Sequence, residues 1–388
     1  MKVFLYVTLA ISIFAPIYTY VVYPVLLKVV GIFFQKKYKI DKNYRPFVSI
    51  LVAAYNEEKV IKEKIINLSK LEYPDDKIEF IIGSDGSSDK TVDIAKSYSH
   101  IKNLRILDLP RGGKVNALNS MLKIAKGEVL VFSDANTIYD SKAVKELVKY
   151  FTDKTIGCVS GQLRYKLDES SGNGAKSEGL YWKYENCIKA LESKLGKLSG
   201  ANGAIYAVRK DLIKEIRKGI INDDFYIATN ALQLGYDVIL ETKAVAYEEP
   251  NDEFLSQFKR HVRDGAGHYQ SIGIFWRMLL PRKGSLVHIS HRVIRWIIPF
   301  CFISTFITNA LLLTQSLFME ILFVCQIIGY LTLGFYYEFI INKNRNINNS
   351  FEKFFRFIFY FMAINFALLL GCIRFLRKQQ KAIWETQR

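Results

Sequence analysis

Cysteine is scarce in this sequence, and charge is missing from long parts of it. Five cysteines occur among 388 residues, and no CxxC pair is present. A disulfide-rich secreted scaffold needs more cysteine, and common zinc sites need closely spaced pairs. We therefore expect free thiols, without disulfides or structural zinc. A disordered chain is also excluded, because half of the residues are hydrophobic.

Three long stretches contain almost no charged residue. Residues 3–34 contain only Lys28, residues 297–337 only Glu320, and residues 354–373 only Arg356. About 20 apolar residues cross a bilayer as a helix, so the middle stretch is long enough for two crossings. The sequence thus predicts four spans, at about 3–27, 294–315, 319–341 and 354–375. The first apolar run is too long for a signal peptide, and we interpret it as an anchor.

The net charge is +17, from 54 Lys and Arg against 37 Asp and Glu. Much of the excess flanks the apolar stretches, as at residues 36–45 and 282–295. Cytoplasmic flanks of membrane spans are normally basic, so residues 42–290 are expected in the cytoplasm and no nucleic-acid partner is implied. Four spans put the basic tail, residues 377–388, on the other side, so the side of the tail stays open.

Between the spans, short apolar runs alternate with helical patterns. Val48–Ala54 is nearly all apolar, which is typical of a strand buried on both faces. Similar runs follow at residues 78–83, 104–107 and 129–132. Alternating strands and helices predict a mostly parallel, doubly wound α/β sheet. Ligands of such sheets bind beyond the carboxyl ends of the strands.

A polar cluster follows each of these four strands. The clusters are Ala54-Tyr55-Asn56-Glu57, Ser84-Asp85-Gly86-Ser87, Arg111-Gly112-Gly113-Lys114 and Ser133-Asp134-Ala135-Asn136. Each one alone can be an ordinary turn or helix cap. Four of them at one edge of a sheet indicate a ligand site.

The residue types in these clusters suit a nucleotide-sugar. Asp85 can accept the N3–H of a uracil ring, and the ring of Tyr55 can cover the base. Lys114 can meet a diphosphate as a point charge. Asp134 and Asn136 offer the oxygen ligands that Mg²⁺ and Mn²⁺ prefer. The glycines before Lys114 lack the Walker A spacing, which argues against an ATPase.

These clusters resemble those of the membrane-bound family 2 glycosyltransferases, which include cellulose, hyaluronan and poly-N-acetylglucosamine synthases. The resemblance continues through residues 200–209, 221–225, 244–249 and 290–296. It implies a cytoplasmic domain of the GT-A fold at residues 42–265, an interfacial amphipathic segment at 266–293, and transmembrane helices at 1–34 and 294–376.

The activity implied by the resemblance is inverting transfer of a sugar from a UDP-sugar to a growing β-linked polysaccharide, at the plasma membrane. The resemblance makes Asp224 the general base. It also assigns Ala54, Glu57 and Asp223 to the substrate site. From the residues alone, Asp223 and Asp224 can equally be helix-capping residues.

Three motifs depart from the family pattern. The DDGS motif is present as Ser84-Asp85-Gly86-Ser87, with only one acid before the glycine. The DxD motif is present as Asp134-Ala135-Asn136, with a neutral second group. The QxxRW motif of processive members is present as residues 260–264, with Arg260 for Gln and Asp264 for Trp. Arg260 and Arg263 are expected to bind the donor diphosphate, although a basic helix touching membrane lipids is the alternative.

Two other functions stay open, the first of them because of the altered motif at residues 260–264 and the small number of spans. One is a non-processive enzyme that glycosylates a lipid, either a polyprenyl phosphate or a glycolipid. The other, from another class, is a non-catalytic membrane scaffold that binds a nucleotide. The sequence leaves the sugar, the linkage and the oligomeric state open.

Overall fold

The computed structural model of the chain describes residues 1–166, 173–249, 253–338 and 350–379. The end of the predicted third span, residues 339–341, and the tail from residue 380 onward lie outside the described residues.

One mixed sheet forms the centre of the domain. In chain order its strands are β1 (Val48–Ala54), β2 (Ile78–Asp85), β3 (Leu104–Leu109), β4 (Val129–Asp134), β5 (Ile138–Tyr139), β6 (Ile156–Tyr165), β7 (Ile205–Arg209) and β8 (Asp237–Glu248). Their spatial order is β3-β2-β1-β4-β7-β6-β8-β5. Strands β1 to β4 are parallel, as the alternating pattern predicted. Strand β7 runs antiparallel to both of its neighbours, β4 and β6.

Helices cover both faces of the sheet and continue into the apolar stretches. In chain order they are α1 (Lys2–Ile17), α2 (Tyr23–Phe33), α3 (Ile61–Ser69), α4 (Thr91–Ser97), α5 (Lys114–Ile124), α6 (Ala143–Val148), α7 (Asn173–Lys194), α8 (Asp223–Gln233), α9 (Phe254–Ile274), α10 (Ser285–Val287), α11 (Ile294–Leu311), α12 (Leu317–Tyr336) and α13 (Ser350–Leu376).

Alternate residues of β1 face opposite layers of the core. Leu51 and Ala53 share a buried cluster with residues of α5 and α8. Ile50 and Val52 share another with residues of α3 and α6. A strand covered on both faces must be apolar throughout, which explains the continuous run in the sequence. The domain is doubly wound, as predicted.

Within the described residues, four helices are long and apolar enough to cross a membrane. They are Lys2–Phe33, Ser285–Leu311, Leu317–Tyr336 and Phe354–Leu376. The second begins earlier than the sequence pattern indicated, because the helix continues through the polar residues His288–Val293 as a π-helical turn.

The first of these helices packs along the second. Ser12 donates a hydrogen bond to Ser304, with 2.9 Å between the two hydroxyl oxygens. Leu9 shares a small buried cluster with Leu312 and Met319. The N-terminal and C-terminal apolar stretches thus form one helical assembly beside the domain.

Helix α9 connects the domain to α13 through a contact between glycines. A Cβ on Gly265 would lie 3.5 Å from the Cα of Gly371. A Cβ on Gly371 would lie 2.7 Å from the backbone nitrogen of Ala266. Small residues let helix backbones approach closely in membrane proteins. This contact fixes α9, with Arg260 and Arg263, against a membrane helix.

The predicted interfacial segment, residues 266–293, contains several different elements. It comprises the end of α9, a 3₁₀ turn at Trp276–Leu279, α10 and the π-helical turn at His288–Val293. Phe275 and Met278 are buried in the core, while Trp276 and Leu280 are exposed. Its position at the membrane surface stays a prediction.

Candidate active site

A large cavity opens at the carboxyl ends of β1 and β4, where the polar clusters were expected. Its volume is about 1040 Å³. The end next to the sheet is lined by residues that the sequence singled out: Tyr55, Glu57, Lys114, Asp134, Asn136, Asp223 and Asp224. The other end is lined by α9 and by the candidate membrane helices, through Arg260, Arg263, Tyr20, Trp296 and Leu368. The cavity therefore joins the sheet edge to the membrane helices.

Two predicted site residues, Ala54 and Asp85, are fully buried and are not among the residues that line the cavity. The carboxylate of Asp85 binds the loop that follows β3. Its oxygens accept hydrogen bonds from the backbone N–H of Gly112 at 2.7 Å, from that of Gly113 at 2.9 Å, and from Arg111 at 2.6 Å. Asp85 therefore shapes this loop, and a nucleobase could bind it only by exchange with one of these partners.

Arg111 is a residue whose role the sequence did not indicate, although it belongs to one of the four clusters. Its guanidinium lies over the ring of Tyr55, with Cζ 3.2 Å from the ring centroid. Gly86 adopts a φ of +66° next to this loop, and a Cβ there would lie 2.6 Å from the backbone nitrogen of Arg111. The glycine is required at that position, because the two loops touch through their backbones.

Lys114 connects the carboxylates of two elements. It is the first residue of α5, and its Nζ lies 3.1 Å from Oδ1 of Asp134 and 3.2 Å from Oδ1 of Asp223. Burial alone would lower the pKa of Lys114, but the carboxylates of Asp134, Asp223 and Asp224 together hold it above its ordinary value. The ammonium therefore stays charged at neutral pH, beside the end of β4 and the start of α8.

Asp224 is a half-buried carboxylate in the cavity wall, with a raised proton affinity. Burial, and then the negative charge of Asp223, raise the pKa of Asp224 to about 6, against the opposing effect of Lys114. Its Oδ1 accepts a hydrogen bond from the backbone N–H of Phe225 at 2.7 Å. The N-cap residue of α8 is Asn222. Neither Asp223 nor Asp224 is therefore the N-cap residue, which was the alternative role considered from the sequence.

The loop before β7 closes against this acid. A Cβ on Gly203 would lie 3.1 Å from Oδ2 of Asp224. The loop at residues 200–204 also lines the cavity. This loop confines a carboxylate whose pKa is raised to about 6. Such a carboxylate is suited to take a proton from a bound hydroxyl.

The donor set at the end of β4 fits a divalent metal that binds together with phosphate. The side chain of Asp134 is 32% exposed toward the cavity. The amide nitrogen of Asn136 donates a 2.6 Å hydrogen bond to Glu248, which turns the amide oxygen to the opposite side. Among the described residues, no three His, Cys, Asp or Glu side chains could hold a metal by themselves. Mg²⁺ and Mn²⁺ typically take one or two protein oxygens and complete their shell with phosphate and water.

The two arginines of α9 both lie in the cavity wall. Arg263 donates to the carboxylate of its neighbour Asp264, with 3.0 Å between Nη2 and Oδ1. Burial would raise the pKa of Asp264, but Arg263 and Arg260 outweigh it and lower that pKa. Asp264 is therefore an ionised group at the position where processive relatives carry an aromatic ring.

A buried ionic network forms the membrane-facing end of the cavity, and the sequence did not reveal it. Glu185 accepts hydrogen bonds from Arg292 at 2.9 Å and from Arg295 at 2.6 Å. His291 contacts Glu192 at 2.6 Å, and Glu192 accepts from Tyr23 of the first membrane helix at 2.9 Å. The basic residues of segment 290–296 were visible in the sequence, but their acidic partners on α7 lie about a hundred positions earlier.

Comparison with known proteins agrees with this fold. Residues 49–217 match the family model described as glycosyl transferase family 2. The chain is 27% identical over 279 residues to poly-beta-1,6-N-acetyl-D-glucosamine synthase of Staphylococcus epidermidis, covering 69% of this chain and 67% of that protein. It is 29% identical over 246 residues to beta-monoglucosyldiacylglycerol synthase of Trichormus variabilis, covering 61% of this chain and 52% of that protein.

A solved structure matches almost the entire chain. It is a mannosyltransferase from Pyrobaculum calidifontis in complex with GDP-Man and Mn²⁺, with a TM-score of 0.74 and 20% identity, covering 96% of this chain and 99% of that one. This likeness shows that the protein has the GT-A fold. The match at residues 49–217 and the curated relatives make it a glycosyltransferase, with helices suited to a membrane. The family 2 match lies within the domain that carries the candidate site. The alternative of a non-catalytic membrane scaffold, which the sequence left open, is therefore set aside in favour of an enzyme.

Proposed function

We propose that the protein transfers a sugar from a nucleotide-sugar, with a UDP-sugar as the expected donor, to a hydroxyl of an acceptor presented by the membrane. One observation supports this proposal most strongly. A single cavity runs from Lys114 and Asp134 at the sheet edge, past Asp224, to Trp296 and Leu368 on candidate membrane helices. Donor and acceptor groups then meet at Asp224.

The sheet end of the cavity has the groups that a donor requires. Tyr55, with the Arg111 guanidinium stacked on its ring, lines the cavity and offers a flat surface for a base. Lys114 offers an ammonium for the diphosphate. Asp134 and Asn136 would hold Mg²⁺ or Mn²⁺, which would offset the charge of the leaving diphosphate. The solved mannosyltransferase with the same fold was determined with GDP-Man and Mn²⁺.

In the proposed reaction, Asp224 takes the proton of an acceptor hydroxyl. The hydroxyl oxygen forms a new bond to the anomeric carbon while the bond from that carbon to the phosphate oxygen breaks. The leaving nucleoside diphosphate keeps the electron pair, and one direct displacement inverts the anomeric centre. Asp223 contributes indirectly, because it holds Lys114 at 3.2 Å beside the site of the diphosphate.

The acceptor that the geometry supports best is a hydroxyl-bearing glycolipid. The cavity reaches Tyr20, Trp296 and Leu368, which lie on helices suited to a bilayer. A polyprenyl phosphate would attack through an oxygen that is already largely deprotonated at neutral pH, and it would not need a base such as Asp224. The likeness to a beta-monoglucosyldiacylglycerol synthase, which is named for a glycolipid product, is consistent with a lipid acceptor that carries a hydroxyl.

A growing β-linked polysaccharide is the second candidate. The 27% identity with a poly-beta-1,6-N-acetyl-D-glucosamine synthase favours it. We place either reaction on the cytoplasmic side of the plasma membrane, because the basic flank after the first span, residues 36–45, is typical of a cytoplasmic loop.

Product analysis from the purified full chain tests this function. The enzyme would be offered a panel of radiolabelled UDP- and GDP-sugars, with Mn²⁺ and vesicles that contain diacylglycerol, glycolipid or polyprenyl phosphate. We expect the label to enter a lipid of low molecular mass that extracts into organic solvent. Label in a long water-soluble polymer would establish the second candidate. Failure to release any nucleoside diphosphate would contradict both.

A further inference from the structure

Lys64 is a buried lysine on the inward face of α3, behind the donor end of the cavity. Ile61, Ile65 and Leu68 form the apolar face of this helix, and Lys64 shares it without any exposed surface. Lysine is almost never fully buried unless its ammonium is paired. The partners of this ammonium therefore indicate why the residue is there.

The ammonium of Lys64 joins the two ends of one turn. Nζ donates to Oγ of Ser133 at 2.6 Å and to the carbonyl oxygen of Thr137 at 2.7 Å. Ser133 directly precedes Asp134, and Thr137 directly follows Asn136. The two residues with the metal-side oxygens thus lie between the two anchors of one buried side-chain nitrogen.

Other contacts hold the same region to α3. Nζ of Lys64 lies 4.3 Å from the ring centroid of Tyr139. Asn67, on the same face one helical turn later, donates to the carbonyl oxygen of Tyr139 at 2.8 Å and accepts from its N–H at 2.8 Å. Lys64 itself is not among the residues that line the cavity, so it acts on the turn from behind.

We propose that Lys64 is a positioning residue that fixes the turn at residues 133–137, so that Asp134 and Asn136 present their oxygens to the metal and diphosphate of the donor. This proposal rests on the proposed function only in the assignment of Asp134 and Asn136 to the donor. Removal of the ammonium leaves the apolar packing of α3 in place. The Ser133 hydroxyl can turn to Oγ1 of Thr137 at 3.1 Å, but the carbonyl oxygen of Thr137 loses its 2.7 Å partner.

The variant Lys64→Met tests the proposal by binding rather than by turnover. Methionine has a similar length and no charge, so α3 is expected to stay packed. Loss of an outer partner of a metal ligand typically lowers metal affinity about 10- to 100-fold. We therefore expect the Mn²⁺-dependent affinity for UDP, measured by calorimetry on the full chain in detergent, to fall by about that factor. GDP is titrated in parallel, so that a donor with a guanine base is tested as well as one with uracil.

The matched control is Lys62→Met, on the exposed face of the same helix. It removes the same charge and should leave UDP affinity and unfolding temperature unchanged. A second variant, Ser133→Ala, keeps Lys64 and removes one of its anchors. We expect it to weaken Mn²⁺-dependent UDP binding several-fold, and to add little to Lys64→Met, because both act on one contact.

The outcomes separate this proposal from the proposed function. Asp134→Ala in the same assay tests the donor site alone: if Mn²⁺-dependent UDP binding survives it, the site assignment fails. If Asp134→Ala abolishes that binding while a folded Lys64→Met keeps it within twofold, only the positioning role is overturned. If Lys64→Met unfolds and Ser133→Ala binds as wild type does, Lys64 serves the fold and the proposal is equally overturned.

Discussion

The ammonium of Lys114 lies 3.1 Å from Oδ1 of Asp134. Lys114 begins α5, which follows β3, and Asp134 ends β4. Parallel strands bring the two residues to one edge of the sheet. Without a donor, the lysine neutralises carboxylates that would otherwise repel one another. A diphosphate that enters with a divalent cation offers the lysine new partners, while Asp134 becomes available to the cation. When the donor binds, Lys114 can therefore move its contact from Asp134 to the diphosphate, and Asp134 can bind the cation instead of Lys114.

The metal dependence should reside in Asp134. Asp134→Ala removes the carboxylate at the end of β4, so Mn²⁺ should no longer stimulate UDP binding or sugar transfer. The comparison to make is a Mn²⁺ titration of both signals in the variant and in Asp108→Ala. Asp108 has a side chain that is 53% exposed and pairs with Lys96 at the surface, so this control should behave as wild type does. Mn²⁺-stimulated turnover in Asp134→Ala would place the metal elsewhere.

The orientation of the domain predicts how single cysteines react in intact cells. In a background without the five native cysteines, Lys37→Cys lies in the basic flank after the first span and should be shielded from an impermeant thiol reagent. Gln315→Cys lies in the turn between the second and third candidate spans and should be labelled. Both positions are exposed. The reverse labelling pattern would put the donor site on the side that lacks nucleotide-sugars.

The contact between α9 and α13 should be sensitive to the size of residue 371. A side chain on Gly371 would meet the backbone of Val262, Gly265 and Ala266 at 2.7–2.8 Å, and backbone atoms cannot move aside cheaply. Overpacking of this kind typically costs about 1–3 kcal/mol. Gly371→Leu should therefore lower the unfolding temperature in detergent. Gly329→Leu on α12 is the matched control, because a Cβ there meets nothing within 4 Å. Equal unfolding temperatures of the two variants would show that the helices need not touch.

Much of the donor end could be predicted from the sequence, because its signals are local. The apolar run at Val48–Ala54 requires a strand covered on both faces, and the polar residues after it must then lie at the ligand-binding edge. Tyr55, Lys114 and Asp134 were found in this way. The antiparallel strand β7 was not, since nothing in its five residues specifies a direction.

The other unpredicted features are contacts between residues far apart in the chain. Asp85 was expected to bind a base directly, but its oxygens bind a loop about 27 positions later. Lys64 on an apolar helical face was an anomaly that could have been noticed, but its partners lie about 70 positions away. Glu185 and Arg292 are 107 positions apart. Such pairs depend on the tertiary fold, and no local pattern contains them.

The pH dependence of transfer should follow the ionisation of Asp224. This group must be deprotonated to act as a base, and its pKa is raised to about 6. The rate at low acceptor concentration should therefore rise with pH below about 6 and level off above it. Transfer rates measured from pH 4.5 to 8 with saturating donor would show this rise and the plateau above it. A flat profile across that range would mean that no group with such a pKa limits the reaction.

The same pKa makes a prediction for stability. Because the folded pKa of Asp224 lies above its ordinary value of 3.8, the folded state binds the proton more tightly than the unfolded state between about pH 4 and 6. The favourable contribution of protonation is lost as pH rises through 6, at a cost on the order of 3 kcal/mol. Asp224→Asn should thus raise the unfolding temperature at pH 8 and change it little at pH 4. An equal shift at both values would contradict the raised pKa.

The most direct test of the central claim measures UDP affinity and sugar transfer on Asp224→Asn. Asparagine keeps the shape of the side chain and an oxygen for the Phe225 N–H, but it cannot take the proton of a hydroxyl. A general base typically contributes about 10²–10⁴ in rate, so transfer should fall by that factor. Mn²⁺-dependent UDP affinity should stay within a few-fold of wild type, because Lys114 and Asp134 are unchanged. Transfer that remains within a few-fold of wild type would remove Asp224 from the mechanism and contradict the account.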